Sequence, residues 1–404
     1  MTDAAALARA FSLSSPPPGF AADPYPVYAA LRVHDPIHAL PGGALLLTRF
    51  DDVAAVYRSP HASSDKREEF GPKFGASPLF EHHTTSLVFS DPPLHTRVRR
   101  IIMGALGQRA IVRMESQLVT LVDELLDALA GRDAADLIAD FAARIPLEVI
   151  GNLLGVPHAE RGPLRGWSLA ILSALEPAPD ARALDAGNAA VADFSDYLRG
   201  LVAGRRRYPG DPAADVLTRL IQGEGDGEKL TESELLHNCI FLLNAGHETT
   251  TNLIGNGLHA LLTHREEYAR LVAEPLLIAS AVEEMLRFES PLQLNNRRAL
   301  ADIAIGTHTI PAGAFVTLGL GAANRDPAQF PEPDRFDVAR RPNRHLAFGL
   351  GDHACAGMNV ARMEARVAIG ALVARYPRLE LAGTPRRDGR VRFRGFETLP
   401  IRGC

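Results

Sequence analysis

The chain has 404 residues, 46% of them hydrophobic and 23% charged, with a formal net charge of −5 and a pI near 6.3. That balance is ordinary for a globular protein and argues against a nucleic-acid scaffold. Its three cysteines, Cys239, Cys355 and Cys404, are odd in number and widely spaced, which excludes a disulfide framework and a CxxC zinc site and fits a reducing compartment.

Residues 1–23 are small and Pro-rich and read as a loosely held N-terminal arm, with a single domain over 24–404. No basic start followed by a long apolar run marks a signal peptide. No stretch reaches the roughly 18 apolar residues of a spanning helix. A cytoplasmic setting without membrane insertion is expected.

The pattern predicts a short helix over 24–33 and a strand over 44–48, then a long irregular loop over 59–91. Apolar residues at spacings of three and four predict amphipathic helix from 95 to about 155, and more helix over 181–207. Thr231-Glu-Ser-Glu is a capping box, and the helix it opens should reach Thr263, about 48 Å at 1.5 Å per residue. Another helix is predicted over 275–287, short strands over 294–316, a Pro-rich meander over 327–343 and a last helix over 358–376. The fold class is mainly α with a small β region.

One stretch conflicts with its setting. FLLNAGHETTTNLIGN, residues 241–256, places Asn244, Gly246, Thr249, Thr250, Thr251 and Asn252 inside the long helix. All are poor helix formers, so something other than helix stability selects them. A second stretch, HLAFGLGDHACAGMNVAR over 345–362, sets Cys355 two residues before the last helix among Gly349, Gly351 and Gly357. A loop without Cβ atoms can approach a flat ligand, and helix-start N–H groups favour a thiolate. A buried, inert cysteine in a Gly-rich turn is the plainer alternative.

The spacing F-G-x-G-x-H-x-C-x-G-x-x-x-A-R, carried by Phe348, Gly349, Gly351, His353, Cys355, Gly357, Ala361 and Arg362, resembles the haem-binding signature of soluble bacterial-type cytochrome P450s, the haem-thiolate monooxygenases. Ala245 to Thr250 resembles their oxygen-binding motif, Glu284 to Arg287 their E-x-x-R, and Asp91 to Arg99 their propionate-binding stretch. The resemblance runs from about Pro24 to Arg402 and implies one α-rich domain whose long central helix crosses the haem.

That resemblance also implies roles for individual residues. Cys355 would ligate the iron of haem b, iron protoporphyrin IX. Phe348, Gly349 and Gly357 would bind the cofactor from the loop, and His95, Arg99, Arg297 and His353 would hold the propionates, with neighbouring Arg298 as the other choice if the strand slips by one. Ala245 and Gly246 would leave room for dioxygen beside a loosened helix ladder, with Glu248 and Thr249 as the catalytic proton relay. Glu284 and Arg287, with Asn324, Arg325, Asp326, Arg335 and Phe336, would be structural. Phe241, Asn244, Leu292, Leu294, Phe396, Thr398 and Leu399 would bind a largely apolar small-molecule substrate under a lid over 80–88, where His82 or His83 could bond one polar group.

The expected reaction is insertion of one oxygen atom of O2 by hydroxylation, dealkylation or epoxidation. Electrons would come from NAD(P)H through a separate ferredoxin and reductase, since no flavin or iron–sulfur extension follows. Arg97, Arg100, Arg109 and Arg113 form a basic run suited to an acidic donor, or an ordinary solvated face. A monomer suffices. A peroxide-driven peroxygenase and a haem sensor without turnover are the alternatives, and the intact Glu248-Thr249 pair speaks against both.

Overall fold

Thr231 opens the longest helix as expected. Its Oγ1 accepts from Glu234 N at 3.2 Å, and Glu234 Oε2 accepts from Thr231 N at 2.9 Å. The helix Glu232–Thr263 then runs for 32 residues, about 48 Å, through the middle of the molecule. The computed structural model describes residues 3–106, 108–212, 215–223 and 229–404. Helices Pro78–Thr85, Arg144–Leu154, Leu164–Ser173, Ala181–Arg207, Ile278–Phe288 and Met358–Arg375 all pack against the long one. No described helix is long and apolar enough to cross a membrane.

The main sheet has five strands in the order Ile37–Ala39, Leu45–Leu47, Phe315–Gly319, Leu294–Ala299 and Ala62–Ser63. Only the Leu45–Leu47 and Phe315–Gly319 pair is parallel within it. Opposite Val316, Arg297 turns inward and is buried, whereas Arg298 reaches out to Glu68 at 2.5 Å.

Several expectations are corrected. The arm is docked: Ala8, Phe11, Leu13 and Phe20 are buried against Tyr28 and Leu31. Lone aromatics without a period carried too little pattern to show this. The loop over 59–91 contains helices Arg67–Phe74 and Pro78–Thr85, the second capped by Ser77, whose hydroxyl accepts from Phe80 N at 3.3 Å. The run from 95 to 155 divides into Leu94–Ala105, Gln108–Leu129, a π-helical turn Ile138–Ala142 and Arg144–Leu154. Helix Leu164–Ser173 has no counterpart among the elements expected from sequence.

Glu284 and Arg287 are fully buried and form a two-pronged pair at 2.7 and 2.8 Å. Arg287 also donates to the carbonyls of Asn324, Pro333 and Arg335, and Glu284 accepts from Arg340, Asn343 and Asp337 N. Every prong is used, which is the condition for a buried ion pair to hold a meander in place. Next to it, Glu283 takes Arg362 bidentately at 2.7 and 2.8 Å, tying this helix to the one that follows Cys355.

Burial alone would raise the Glu283 carboxyl, but hydrogen bonds from His345 and Arg362 outweigh it and lower its pKa from 4.5 to about 2. A depressed acid adds stability above its unfolded pKa and loses it as pH falls through the folded one. Acid denaturation followed by circular dichroism should therefore show Glu283→Gln less stable than wild type at pH 7, with the gap closing between about pH 4.5 and 2. A gap that stays constant with pH would contradict this assignment.

Candidate active site

The loop before the last helix is shaped by its neighbours. Gly349 and Gly351 adopt φ of 66° and 71°, conformations that penalise a side chain. A Cβ on Gly351 would stand 2.9 Å from Tyr57 O, and one on Gly349 would meet the Tyr57 ring at 3.5 Å. These two glycines thus serve the turn and its seat on Tyr57, while Gly357 has open space around it. Cys355 N donates to Phe348 O at 2.9 Å, closing the loop, and Arg362 lies 4.6 Å over the Phe348 ring.

Cys355 itself is exposed at its surface and ringed by protein beyond. Burial pushes its thiol up, against the pull of the Gly357 N–H, Arg99 and Arg362. The helix-start stabilisation expected from sequence is present but does not prevail alone. A metal cation at the sulfur would deprotonate it outright.

Four donors gather beside the cysteine. The His95 and His353 rings lie 3.9 Å apart, and Arg99 Nη2 donates to Ala354 O at 2.8 Å. Arg297 sits 5.1 Å over the Tyr57 ring and donates to Asn296 O at 2.8 Å. Burial and the neighbouring Arg297 push His353 down to about 3, and burial with Arg99 lowers His95 as well. Two neutral imidazoles therefore stand beside two guanidinium charges, and His95 Nε2 is buried without a partner. That donor set fits a flat cofactor carrying two carboxylates, with sulfur for its metal. The residues present fit an iron porphyrin.

On the long helix, Ala245 is the only exposed residue between 233 and 262, with Phe241 and Thr249 half-buried one turn to either side on the same face. The helix opens there and nowhere else along that length. It remains α-helical throughout, so the expected loosening of its ladder is replaced by back-bonding: Thr249 Oγ1 donates to Ala245 O at 2.7 Å and Thr251 Oγ1 to His247 O at 3.0 Å. Gly246 serves packing, since a Cβ there would overlap Ile150 of helix Arg144–Leu154, with Cγ1 at 2.8 Å. Glu248 is buried and paired with Arg390 rather than with a surface cation, and its Oε2 has no partner. Asn244 is buried with Oδ1 unpartnered.

The substrate residues divide. Leu292 is half-buried and bridges Phe393, beside Phe70, Leu172 and Leu175. Leu294 instead belongs to the other side of the sheet, fully buried with Phe11 and Tyr28. Phe396 packs 4.7 Å from His259, roughly 15 Å along the long helix from Thr249, and Thr398 pairs with Arg386 in a hairpin. Leu399 is fully buried in the core. A few residues earlier Phe393 meets Leu292, and Gly395, whose Cβ would strike Asn252, marks where the C-terminal segment passes close to the long helix. In the lid, His82 and His83 are both buried, each with one unpartnered ring nitrogen, and His83 stacks among Phe70, Phe74 and Phe89.

Of the basic run, Arg100 and Arg113 are exposed. Arg97 is tied to Glu234, and the Arg109 side chain lies outside the described residues.

Residues 180–389 match the family model described as Cytochrome P450. The chain is similar to cytochrome P450 107B1 of Saccharopolyspora erythraea, 37% identical over 95% of this chain and 96% of that one. It is 41% identical to the vitamin D(3) 25-hydroxylase of Pseudonocardia autotrophica, over 89% of this chain and 88% of that one. Among solved structures, P450BioI in complex with hexadec-9Z-enoic acid ligated acyl carrier protein superposes with a TM-score of 0.90 at 36% identity, covering 95% of this chain and 99% of that one.

The Gly246 contact is directly testable. Gly246→Ala should cost about 1–3 kcal/mol by overpacking, measured by urea unfolding, and Ile150→Ala in the same chain should remove most of that penalty. Additive losses in the double variant would mean that the two residues do not meet.

Proposed function

The chain belongs to the cytochrome P450 family, and from that membership we propose a division of labour among its residues. It is a cytochrome P450 monooxygenase with haem as its cofactor. Bound haem supplies the reductive activation of dioxygen, which no protein side chain provides. In the proposed arrangement Cys355 ligates its iron, His95, Arg99, Arg297 and His353 bind its propionates, and Phe348, Gly349 and Gly357 set the loop. The observation that carries this reading is the convergence of those four donors beside Cys355.

Thr249 gives its own hydrogen to Ala245 O, so its oxygen is free to accept from a group above Ala245. Glu248 has one oxygen held by Arg390 and the other open to carry a proton. Together they orient water and deliver protons to reduced dioxygen. The substrate is largely apolar, lies against Phe241, Leu292 and Phe393, and meets Asn244 or His83 with at most a polar group or two. Vitamin D(3), named for one relative, and the fatty acyl chain in the solved neighbour are of that kind. One oxygen atom enters a substrate bond by hydroxylation, dealkylation or epoxidation.

Electrons arrive from NAD(P)H through a reductase and a ferredoxin that docks where Arg100 and Arg113 are exposed. The protein acts as a cytoplasmic monomer whose single domain includes the docked N-terminal segment.

With a plant-type ferredoxin and reductase, NADPH and a long-chain fatty acid as probe, Glu248→Gln and Thr249→Ala should each raise the share of consumed oxygen released as hydrogen peroxide by about ten-fold. General acid–base groups contribute about 10²–10⁴. An unchanged peroxide share in both variants would remove the relay, and wild-type turnover with peroxide alone that matches the rate with NADPH and redox partners would favour a peroxygenase.

A further inference from the structure

Beyond the relay itself, buried polar atoms without a side-chain partner gather where helix Leu164–Ser173 packs on the long one: Arg165 Nε, the ring nitrogens of His247, and Glu248 Oε2. Native interiors hold few such atoms, and those that occur are usually served by water or by function. His247 is fully buried, and its Nδ1 stands 3.7 Å from Glu248 Oε2. The Ala143 carbonyl and the Arg165 guanidinium are its other neighbours. Both residues line a surface cleft of about 320 Å³, together with Ala139, Arg144, Leu147 and Arg161. The chain of contacts thus runs from solvent to the acid.

We propose that His247 is the proton entry to Glu248, passing protons inward from water in the cleft between Ala143 and Arg165. The inference rests on the relay role given to Glu248 above, and His247 is a positioning residue, since it acts only through that acid. Arg390 holds Glu248 Oε1, and a guanidinium does not give up a proton. The proton must reach Oε2, and the titratable group beside Oε2 is His247.

The imidazole is suited to transit. Burial, with Arg165 and Arg390, lowers its pKa to about 4 against the opposing pull of Glu248 and of a hydrogen bond to the Ala143 carbonyl. At neutral pH the ring is uncharged, with one N–H and one lone pair. A cleft water gives a proton to Nε2 as the Nδ1 proton passes to the Glu248 carboxylate. One proton has moved inward, hydroxide is left in the cleft to return to solvent, and a tautomeric shift through water, in which Nε2 gives up its proton as Nδ1 takes one, restores the starting ring. At 3.7 Å the contact is closed by a small rotation or by one bridging water.

Exchange of the histidine C2 hydrogen for deuterium, read by mass spectrometry on the holoenzyme, reports water access without turnover. His247 should exchange measurably despite its burial, more slowly than exposed His34, and Ala139→Phe, which fills the cleft mouth, should slow it several-fold. No detectable exchange, or exchange untouched by Ala139→Phe, would overturn the proposal. In the peroxide assay, His247→Phe should raise the peroxide share nearly as far as Glu248→Gln does, and His247→Gln, which keeps a donor and an acceptor, should restore most of the wild-type value. A His247→Phe variant that behaves as wild type while Glu248→Gln does not would also overturn it. If Glu248→Gln itself changes nothing, the relay reading fails, and the exchange result still decides whether the path exists.

Discussion

A helix of 32 residues with 22 of them buried must satisfy neighbours on every side and still leave one opening. The rest of the molecule is arranged around that demand. Where helices cross it closely, it carries glycine: Gly246 under Ile150, Gly255 under Ile138 and Gly257 under Met285. Where loops pass it, it carries asparagine. Asn238 accepts from Leu87 N in the lid, and Asn256 donates to Arg394 O in the C-terminal segment. The glycines of the helix are therefore explained by packing, and Asn238 and Asn256 by bridging. Ala245 and Thr249, at the one exposed turn, are left to chemistry.

The cysteine loop meets this helix through a second rigid frame. Glu284 and Arg287 fix the meander over 324–343, while Glu283 holds Arg362 on the helix after Cys355. Arg362 covers Phe348, and Phe348 O receives Cys355 N. Adjacent carboxylates on one helix thus set both the loop's base and its exit. Such a loop holds its sulfur in place before any ligand arrives, which is the condition for a precise site.

Much of this was legible in the sequence because it is local. The capping box at Thr231, the glycines around Cys355 and the E-x-x-R pair depend on residues a few positions apart. The surroundings of the proposed substrate residues were legible only in part, because they are assembled from long-range contacts. Leu294 and Leu292 differ in facing because the strand starts only at Leu294, and Phe396 packs on His259 with its register set against Arg387. Phe393 meets Leu292, about a hundred residues away in sequence. The Glu248 pairing with Arg390 spans a still greater separation and left no sequence pattern. Arg297 was chosen over Arg298 only by register, which the Val316 pairing supplies.

Every role proposed for the site depends on sulfur ligation by Cys355, and the difference spectrum of reduced protein with carbon monoxide tests it most directly. Wild type should show a Soret band far to the red of the usual haem position, lost in Cys355→Ser. A band at the position typical of histidine ligation, unchanged in Cys355→Ser, would mean that another residue holds the iron and that the loop around Cys355 is only structural.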